Sequence, residues 1–467
     1  MKEHGPDMWA RQEFGAASID DERWRRRLVQ MAKRAAVRPA GRVTEAFANP
    51  AERQGAYGLL ESDEVSTASV GTAMFEACAR RCCDEDFVYC PIDGTSLTLS
   101  DGERSKDFGP IGSRAQGARG LKVMNAMVLS AAGVPLGISS QQWWTRAEHK
   151  RDQHRDKLSP EEKETKHWLA AMTQTRELMA KHAPETRCWF QLDREGDAWP
   201  LLRQAGLDEH WFTIRASRNR WVLLPDGEKT YLQPMLAAQP VKTTYQLEVR
   251  AAAKRQARTA VMEVRACCVT VSVRDKRTGK RSPLTINVVQ ARERATTPLG
   301  EKPLDWTLLT NRSIETTKDL TAVIYGYAMR WRIEELHRTW KSGACGVEQT
   351  QLRSAKAVIK WATILIAVAL RIERIKRLSR EEPDRPASDE FSATEIKAVI
   401  LLRFDKSKAP NLAPGEQPTM AQLTLWIAEL GGYTGRTSSG GPPGSITIGR
   451  GLATVRAVAK ALKALGQ

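Results

Sequence analysis

The feature that most constrains this chain is the spacing of four reactive side chains between residues 327 and 341. At intervals of three, four and seven residues the sequence presents Tyr327, Arg330, Glu334 and Lys341. Because each residue advances an α-helix by about 100°, these side chains would fall within a wedge of about 60°. The opposite side would carry Ala322, Met329, Ile333, Leu336 and Trp340. The spacing therefore predicts one amphipathic helix with a reactive polar face.

That polar face is suited to phosphoryl transfer, provided that other segments supply more carboxylates. A carboxylate binds divalent cations, and Arg and Lys bind phosphate. Two further acids each follow a short apolar run typical of a strand: Asp93 after Phe87–Ile92 and Asp193 after Cys188–Leu192. A single Asp at a strand end is commonly a turn or cap residue. Together with Glu334, however, the two could hold a pair of divalent ions for an in-line displacement on phosphorus.

The overall charge favours a polyanionic partner. The chain has 467 residues, 41% of them hydrophobic, and a formal net charge of +17. Nucleic acid is the partner that this excess of positive charge suits best, although a basic enzyme without such a partner would also fit. The longest apolar run, residues 361–370, is about half as long as a bilayer requires, so it predicts a buried helix.

The N-terminal residues and the cysteines predict the cellular compartment of the protein. No apolar segment follows the first residues, so we expect a cytoplasmic protein whose eight cysteines are reduced. Cys78, Cys82 and Cys83 form a group that suggests zinc. No second pair of Cys or His follows at the spacing of a zinc finger, which makes zinc the weaker interpretation.

Three domains are predicted along the chain. Residues 1–75 should form short helices, one of them starting near Ser18–Asp21. Residues 76–375 alternate between strand and helix patterns and include a β-rich insertion at about 217–312. Residues 376–467 should again be helical. The first domain carries exposed arginines expected to contact phosphate, namely Arg23, Arg26, Arg27, Arg34, Arg38 and Arg42.

Within the middle domain, residues 121–130 and 134–142 are predicted to form a β-hairpin, and 211–215 another strand. A capping box at Ser159–Glu162 predicts a helix running to about His182, and a shorter helix is expected at 198–204. In the last domain, Ser392 should cap a helix, Gly431 should end one, and residues 452–465 should form the last. The expected fold class is α/β, with helices on a mixed sheet.

These motifs resemble those of DDE transposases of the insertion-sequence-four group, which includes the transposase of transposon five. The group is marked by Tyr, two residues, Arg, three residues, Glu, six residues and Lys, and residues 327–341 match every interval. Residues 93–97 and 193–195 fit as well. The resemblance extends from about residue 18 to the C-terminus and is weakest in the insertion and the last domain. It implies a ribonuclease-H-like catalytic core flanked by helical domains.

The resemblance also implies roles for individual residues. Asp93, Asp193 and Glu334 would bind two Mg²⁺ ions, for which Mn²⁺ would substitute; Glu335 is the rival of Glu334 but lies outside the polar wedge. Phosphate contacts near the scissile bond would come from Tyr327, Arg330 and Lys341. Trp306 would stack on a base flipped out of the DNA end, unless it is a core aromatic. Arg215 would contact DNA, and His337 would either do so or be structural.

The function implied is cut-and-paste transposition in a bacterial cell. One strand at the element end is nicked, the freed 3′-hydroxyl forms a hairpin, the hairpin is opened, and the ends are joined to target DNA. The partners would be double-stranded DNA, as terminal inverted repeats and target, and a second subunit in a homodimer joined through residues 376–467. The alternatives are a DNA-binding relative without catalysis and a hydrolytic nuclease that never joins strands.

Overall fold

The computed structural model describes residues 5–101, 106–112, 117–146, 163–206, 209–224, 227–252, 255–274, 279, 281–294, 296–405, 416–435 and 441–466. These residues form one large mixed sheet with helical regions before and after it. No helix in this part of the chain is both long enough and apolar enough to cross a membrane.

The chain begins with five helices: α1 Pro6–Phe14, α2 Glu22–Val37, α3 Val43–Ala46, α4 Pro50–Glu61 and α5 Thr67–Arg80. The predicted helix start near Asp21 is confirmed, because the Asp21 carboxylate accepts the Arg23 backbone N–H at 2.8 Å. α2 buries Leu28 and Met31 in the core and leaves most of its arginines outward. Burial of the apolar face of α2 thus determines that its opposite, charged face points to solvent.

The first six strands are β1 Phe87–Thr98, β2 Gly109–Pro110, β3 Arg119–Leu129, β4 Pro135–Trp144, β5 Arg187–Leu192 and β6 Trp211–Arg215. β3 and β4 form the predicted hairpin, and β3 also pairs antiparallel with β1. β5 lies parallel to both β1 and β6. Two helices follow strands of this part, α6 Thr165–His182 and α7 Trp199–Gly206. The predicted capping box at 159–162 lies outside the described residues.

The predicted insertion continues the same sheet. It comprises β7 Trp221–Leu223, β8 Lys229–Tyr231, α8 Leu232–Ala237, β9 Thr243–Val249, β10 Arg258–Arg274, β11 Arg281–Glu293 and β12 Asp305–Thr310. β12 pairs with β6, and the order runs on through β11 and β10 to β7 and β8. The long β10–β11 pair thus extends the sheet on the side of β6 that is away from β1 and β5.

The prediction of a single helix across residue 330 is wrong in one respect. The structure has two consecutive helices there, α9 Thr317–Met329 and α10 Trp331–Lys341. The turn tightens at Arg330, whose N–H donates to the Tyr327 carbonyl, three residues back, at 3.1 Å. The backbone of Arg330 nevertheless stays helical, with φ −55° and ψ −34°. The apolar face keeps its phase for this reason, and Ile333, Leu336 and Trp340 are fully buried as predicted.

α9 lies unusually close to the sheet at Gly326. A Cβ atom added there would approach Tyr89, Trp189 and Gln191 to 3.0–3.2 Å. Gly326 therefore permits a helix-to-sheet distance that a larger side chain would increase. This distance also helps to place α10, which follows α9 after a single residue.

The C-terminal part contains α11 Ala355–Glu381, α12 Ala393–Asp405, α13 Met420–Leu430 and α14 Ser445–Ala464. Residues 361–370 are buried, as predicted, and the Ser392–Glu395 capping box is confirmed by reciprocal bonds of 3.0 and 3.3 Å. The predicted start of α14 is wrong by seven residues. Glycines belong inside it because α14 packs tightly on α13, where a Cβ at Gly451 would lie 1.8 Å from the Ile427 carbonyl oxygen.

Candidate functional site

Asp93 lies inside β1 rather than at its end, which corrects the sequence prediction. β1 pairs with β5 only as far as Pro91, but it continues beside β3, where Asp93 is opposite Asn125. The Asp93 side chain is 18% exposed, and its Oδ1 accepts the Gly94 backbone N–H at 3.0 Å. The Asp93 carboxylate therefore lies just beyond the point where the pairing of β1 with β5 ends.

Asp193 immediately follows β5, as predicted. Its Oδ1 accepts the backbone N–H groups of Glu195 at 2.8 Å and Gly196 at 3.4 Å, which caps a short 3₁₀ turn. Because β1 and β5 are adjacent and parallel, Asp93 and Asp193 reach the same end of the sheet. The turn fixes one oxygen of Asp193 and leaves the other without a bond to this turn.

Glu334 comes from the first turn of α10 and is held by an arginine. The Arg330 Nη2 donates to Glu334 Oε1 at 2.6 Å; the Arg330 side chain is 8% exposed and that of Glu334 is 46% exposed. The adjacent acid, Glu335, instead pairs with Lys376 and Arg377 of α11. Glu334 is thus the acid of α10 that belongs with Asp93.

The three carboxylates act on one another electrostatically. The pKa of Asp93 is raised to about 7, mainly by burial; the Arg330 guanidinium opposes this rise, and the negative charges of Asp193 and Glu334 add to it. The high pKa of this carboxyl group thus reflects its burial first and the two neighbouring negative charges second, and the Arg330 guanidinium offsets them in part. Such a group would be favoured in its ionised form by an added cation.

The chemistry of these donors fits a divalent metal ion, whereas their arrangement is not yet a complete site. Carboxylate oxygens are the ligands that Mg²⁺ and Mn²⁺ prefer. In the part of the chain that the structure describes, no three His, Cys, Asp or Glu side chains form a ready ligand set. The bond to Arg330 occupies Glu334, so the helix side of the site would have to exchange this partner for a cation.

Two buried polar atoms beside Glu334 have no hydrogen-bond partner among the described residues, the Tyr327 hydroxyl and the Arg330 Nε. Tyr327 is 2% exposed, and the Arg330 guanidinium lies 5.8 Å from the centre of its ring. Buried polar atoms are normally paired, and an unpaired one is unfavourable by about 1–3 kcal/mol. A hydroxyl and a guanidinium N–H without partners are suited to an oxyanion.

Trp306 and Arg215 lie beside this group. Trp306, on β12, is 7% exposed; its ring centre is 5.9 Å from that of Tyr327 and 5.3 Å from that of Trp331. Trp331 is 41% exposed and was not among the predicted residues. Arg215 ends β6 and donates to the backbone carbonyl of Asp305 at 2.9 Å. The aromatic groups therefore form a layer from the core to the surface next to α10.

Lys341 ends α10 and pairs with an acid that the sequence did not single out. Its Nζ lies 3.4 Å from Glu348 Oε1, which also accepts the Thr98 backbone N–H at 2.8 Å. Glu348 thus joins the end of α10 to the end of β1. Nothing in its neighbourhood, a turn after Gly346, distinguishes it in the sequence.

His337 is buried and faces the sheet. Its Nε2 lies 3.0 Å from Asn125 Nδ2 and its Nδ1 lies 4.0 Å from Asp93 Oδ2. Burial, assisted by the charge of Lys341, lowers the pKa of His337 to about 3. The ring is therefore neutral at physiological pH, and its contact with Asp93 is not an ion pair.

The predicted DNA-contacting arginines differ in their surroundings. Arg34 is half-buried and pairs with Glu52 of α4. Arg23 and Arg26 are 90% and 79% exposed, although each contacts an acid at the start of α2. Most of the predicted cations are exposed at the surface, namely Arg23, Arg26, Arg27, Arg38 and Arg42. The N-terminal helices thus present an accessible basic face.

Comparison with known families identifies this N-terminal region. Residues 6–65, which extend from α1 to the residues after α4, match a family model described as transposase DNA-binding. The match accounts for the basic face of α2 and supports DNA as a partner of the chain. The N-terminal region of this chain therefore resembles a transposase DNA-binding domain, and this match supports a transposase.

Proposed function

We propose that this protein is a cut-and-paste DNA transposase of the DDE class, in the insertion-sequence-four group. The observation that carries the proposal is that Asp93 and Asp193 come from adjacent parallel strands at the same end of the sheet, where the charge of Glu334 from α10 also acts on Asp93. The same chain bears a transposase DNA-binding domain at its N-terminus. A group of acids that repel one another, in a protein of this kind, is suited to phosphoryl transfer on DNA.

The proposed catalytic core is ribonuclease-H-like. Its support is the mixed sheet around β1, in which an antiparallel hairpin lies on one side and parallel strands on the other. In this arrangement Asp93 and Asp193 come from adjacent strands, and Glu334 from a helix of the same domain. The three acids are distant in sequence, so the fold must bring them together.

The proposed roles follow from the surroundings of each side chain. Asp93, Asp193 and Glu334 would hold two Mg²⁺ ions, which would activate the attacking oxygen and stabilise the leaving oxygen. Arg330 would leave Glu334 and donate to a phosphate, together with Tyr327, whose hydroxyl has no partner among the described residues. Lys341 would contact a phosphate near the scissile bond. These donors neutralise charge that develops on the phosphoryl oxygens.

One site would serve each of four displacements: nicking, hairpin formation, hairpin opening and strand transfer. Each is a substitution at phosphorus with water or a 3′-hydroxyl as nucleophile, so the same carboxylates and cations are used throughout. The cut requires two element ends, and we therefore propose a homodimer acting on inverted repeats in a bacterial cell, on the nucleoid. Val455 and Leu462 of α14 are buried within the chain, so a dimer contact of this domain would use other residues.

Trp306 would receive a base extruded from the DNA end during hairpin formation. Since Trp306 is buried against Tyr327 and Trp331, the base would enter where the exposed Trp331 ring now lies. For Trp306→Leu we expect nicking to persist and hairpin yield to fall by about 5-fold or more, because stacking is worth about 1–3 kcal/mol. The matched control is Trp168→Leu, another buried Trp on α6. Equal hairpin loss in both variants would remove the stacking role.

The decisive experiment uses DNA that carries the terminal repeats flanking the gene. The purified protein is incubated with this duplex and Mg²⁺, and products are separated on a denaturing gel. Nicks at the repeat followed by hairpins are the expected result. Nicks without hairpins, on unrelated DNA as well, would identify a hydrolytic nuclease, and binding without any nick would identify an inactive relative.

A further inference from the structure

A line of buried polar side chains crosses three strands behind the candidate site. Asp93 on β1 is the register partner of Asn125 on β3, and Asn125 is the register partner of Gln141 on β4. Side chains of directly opposed residues lie on the same face of a sheet. Asn125 is fully buried and Gln141 is 8% exposed. These amides therefore form a polar row at right angles to the strands, inside an otherwise apolar layer.

Two helices complete the row. Thr363 of α11 donates its hydroxyl to Gln141 Oε1 at 3.0 Å, and Gln141 Nε2 donates to Asn125 Oδ1 at 2.9 Å. Asn125 Nδ2 then lies 3.0 Å from Nε2 of His337 on α10. Each side chain in the series donates to the next one. Buried networks in which the members are satisfied hold their groups in one arrangement.

The direction of these bonds determines which nitrogen of His337 carries the proton. The Asn125 Nδ2 group can only donate, so the His337 Nε2 atom that it contacts must accept, and the ring proton is on Nδ1. Nδ1 is the nitrogen that faces Asp93 Oδ2, at 4.0 Å. If both amides were reversed, the Nδ1 lone pair would face the carboxylate. Repulsion between this lone pair and the ionised carboxylate disfavours the reversed arrangement.

We propose that Asn125 is a positioning residue for Asp93: it fixes His337 as the Nδ1–H tautomer and thereby holds an N–H group toward Oδ2. The backbone N–H of Gly94 holds Oδ1. One oxygen of Asp93 is thus held by a hydrogen bond and the other lies opposite a polar N–H group 4.0 Å away, so both oxygens are oriented from the protein side. A group that orients a metal-binding side chain commonly contributes about 10–100-fold to metal affinity.

The part of this inference that concerns a cation rests on the proposed function, whereas the tautomer does not. The first measurement is therefore made on the whole protein without DNA or metal. Histidine labelled with ¹⁵N gives a distinct NMR pattern for each tautomer, and His337→Gln identifies the signal among the seven histidines. We expect the Nδ1–H pattern. An Nε2–H pattern for His337 in the wild-type protein would overturn the proposal.

The second measurement separates positioning from simple support of the fold. Asn125→Leu, Gln141→Leu and Thr363→Val each remove one member of the row, and Thr175→Val removes a buried hydroxyl outside it. Mn²⁺ affinity is measured by titration, and stability by thermal unfolding. We expect affinity to fall by about 10-fold or more for Asn125→Leu and less for each step away from Asp93. Thr175→Val should keep the Mn²⁺ affinity of the wild type.

The outcomes distinguish this inference from the proposed function. Asn125→Leu with an unchanged His337 pattern and wild-type Mn²⁺ affinity would overturn the positioning role. Affinity losses that follow the loss of melting temperature, rather than distance from Asp93, would also overturn it. A wild-type protein that shows the Nδ1–H pattern and binds Mn²⁺ but cuts no DNA would instead count against the transposase proposal alone.

Discussion

The strand side and the helix side of the candidate site hold their carboxylates in different ways. On the strand side, backbone N–H groups bond to Asp93 and Asp193, and Asp93 is largely enclosed. On the helix side, Glu334 is half-exposed and an arginine of the preceding turn bonds to it. Backbone donors cannot leave a carboxylate without a change of fold, while an arginine side chain can rotate away.

This difference suggests how the site is assembled. The strands supply a fixed pair of acids whose repulsion is only partly relieved. The helix supplies a third acid that is paired with Arg330, and a cation bound at the proposed site would compete with this arginine. Arg330 would then become free to bind phosphate at the same step that Glu334 becomes a ligand. The Arg330–Glu334 pair would therefore supply two binding groups once it separates, whereas Asp93 and Asp193 would be ready to bind a cation from the start.

The largest effect is expected from Asp193→Asn on the strand side. The amide oxygen can still accept the Glu195 N–H, so the turn is kept, but the negative charge is lost. Nicking of end DNA should fall at least about 1,000-fold, equivalent to about 4 kcal/mol. Binding to the same DNA, measured by gel shift, should be unchanged. Residual cleavage near the wild-type rate would show that the acids have been misassigned.

Asp93→Asn should stabilise the metal-free protein in a pH-dependent manner. The pKa of Asp93 is about 7 in the folded state and about 3.9 in an unfolded chain. As pH rises above about 4, the unfolded state loses its proton first, so the wild type loses stability until the folded group ionises as well. The full penalty is present above pH 7. The variant should gain up to about 4 kcal/mol at pH 8 and about 1.5 kcal/mol at pH 5.

This gain is measured as the free energy of unfolding in urea, with a chelator present. Asp101→Asn is a suitable control, because Arg119 pairs with that acid and lowers its pKa. The control should lose stability near neutral pH rather than gain it. If the Asp93 variant gains equally at pH 5 and pH 8, the destabilisation is not electrostatic.

Arg330→Gln should have opposite effects on two measurements. Without DNA, Mn²⁺ should bind about 5-fold more tightly, because Glu334 loses a competing ion pair worth up to about 1 kcal/mol. With DNA, nicking should fall, because a phosphate contact is lost. Arg332→Gln, which breaks the pair with Glu381, is the control and should change neither. Weaker Mn²⁺ binding by Arg330→Gln would contradict the exchange of partners.

The smallest effect is expected in the N-terminal domain. It tests whether an arginine that is paired within the chain contributes less to DNA binding than an exposed one. Arg26 is largely exposed, whereas Arg34 is half-buried beside Glu52. Arg26→Gln should reduce the slope of log affinity against log salt by about one for end DNA, which a salt titration measures. Arg34→Gln should leave the slope unchanged. Equal losses would mean that Arg34 exchanges Glu52 for phosphate.

The sequence predicted the elements of the fold better than their extents. The β3–β4 hairpin, the Asp21 cap and the Ser392 capping box were readable because each depends on a few adjacent residues. The start of α14 was missed, since its glycines are explained only by contact with α13. Asp93 was expected at a strand end because pairing of β1 beyond Pro91 depends on β3, a distant strand.

The same limit applies to the candidate site. The interval from Tyr327 to Lys341 indicated a reactive face, and all four of its side chains contact charged or aromatic partners that also lie in or near it. Asn125 and Glu348 could not be selected in advance. Their significance comes from the register between strands and from the turn after α10, neither of which leaves a local pattern.

Gly326 makes the position of α10 depend on a single missing methyl group. Alanine there would meet three side chains, two of them rigid rings, at 3.0–3.2 Å, so α9 would have to move outward by a few tenths of an ångström. Glu334 lies two turns further on and would be carried with it, as the end of a lever is carried by a shift at its pivot. The position of Glu334 thus depends in part on a glycine two turns away, at the contact between α9 and the sheet.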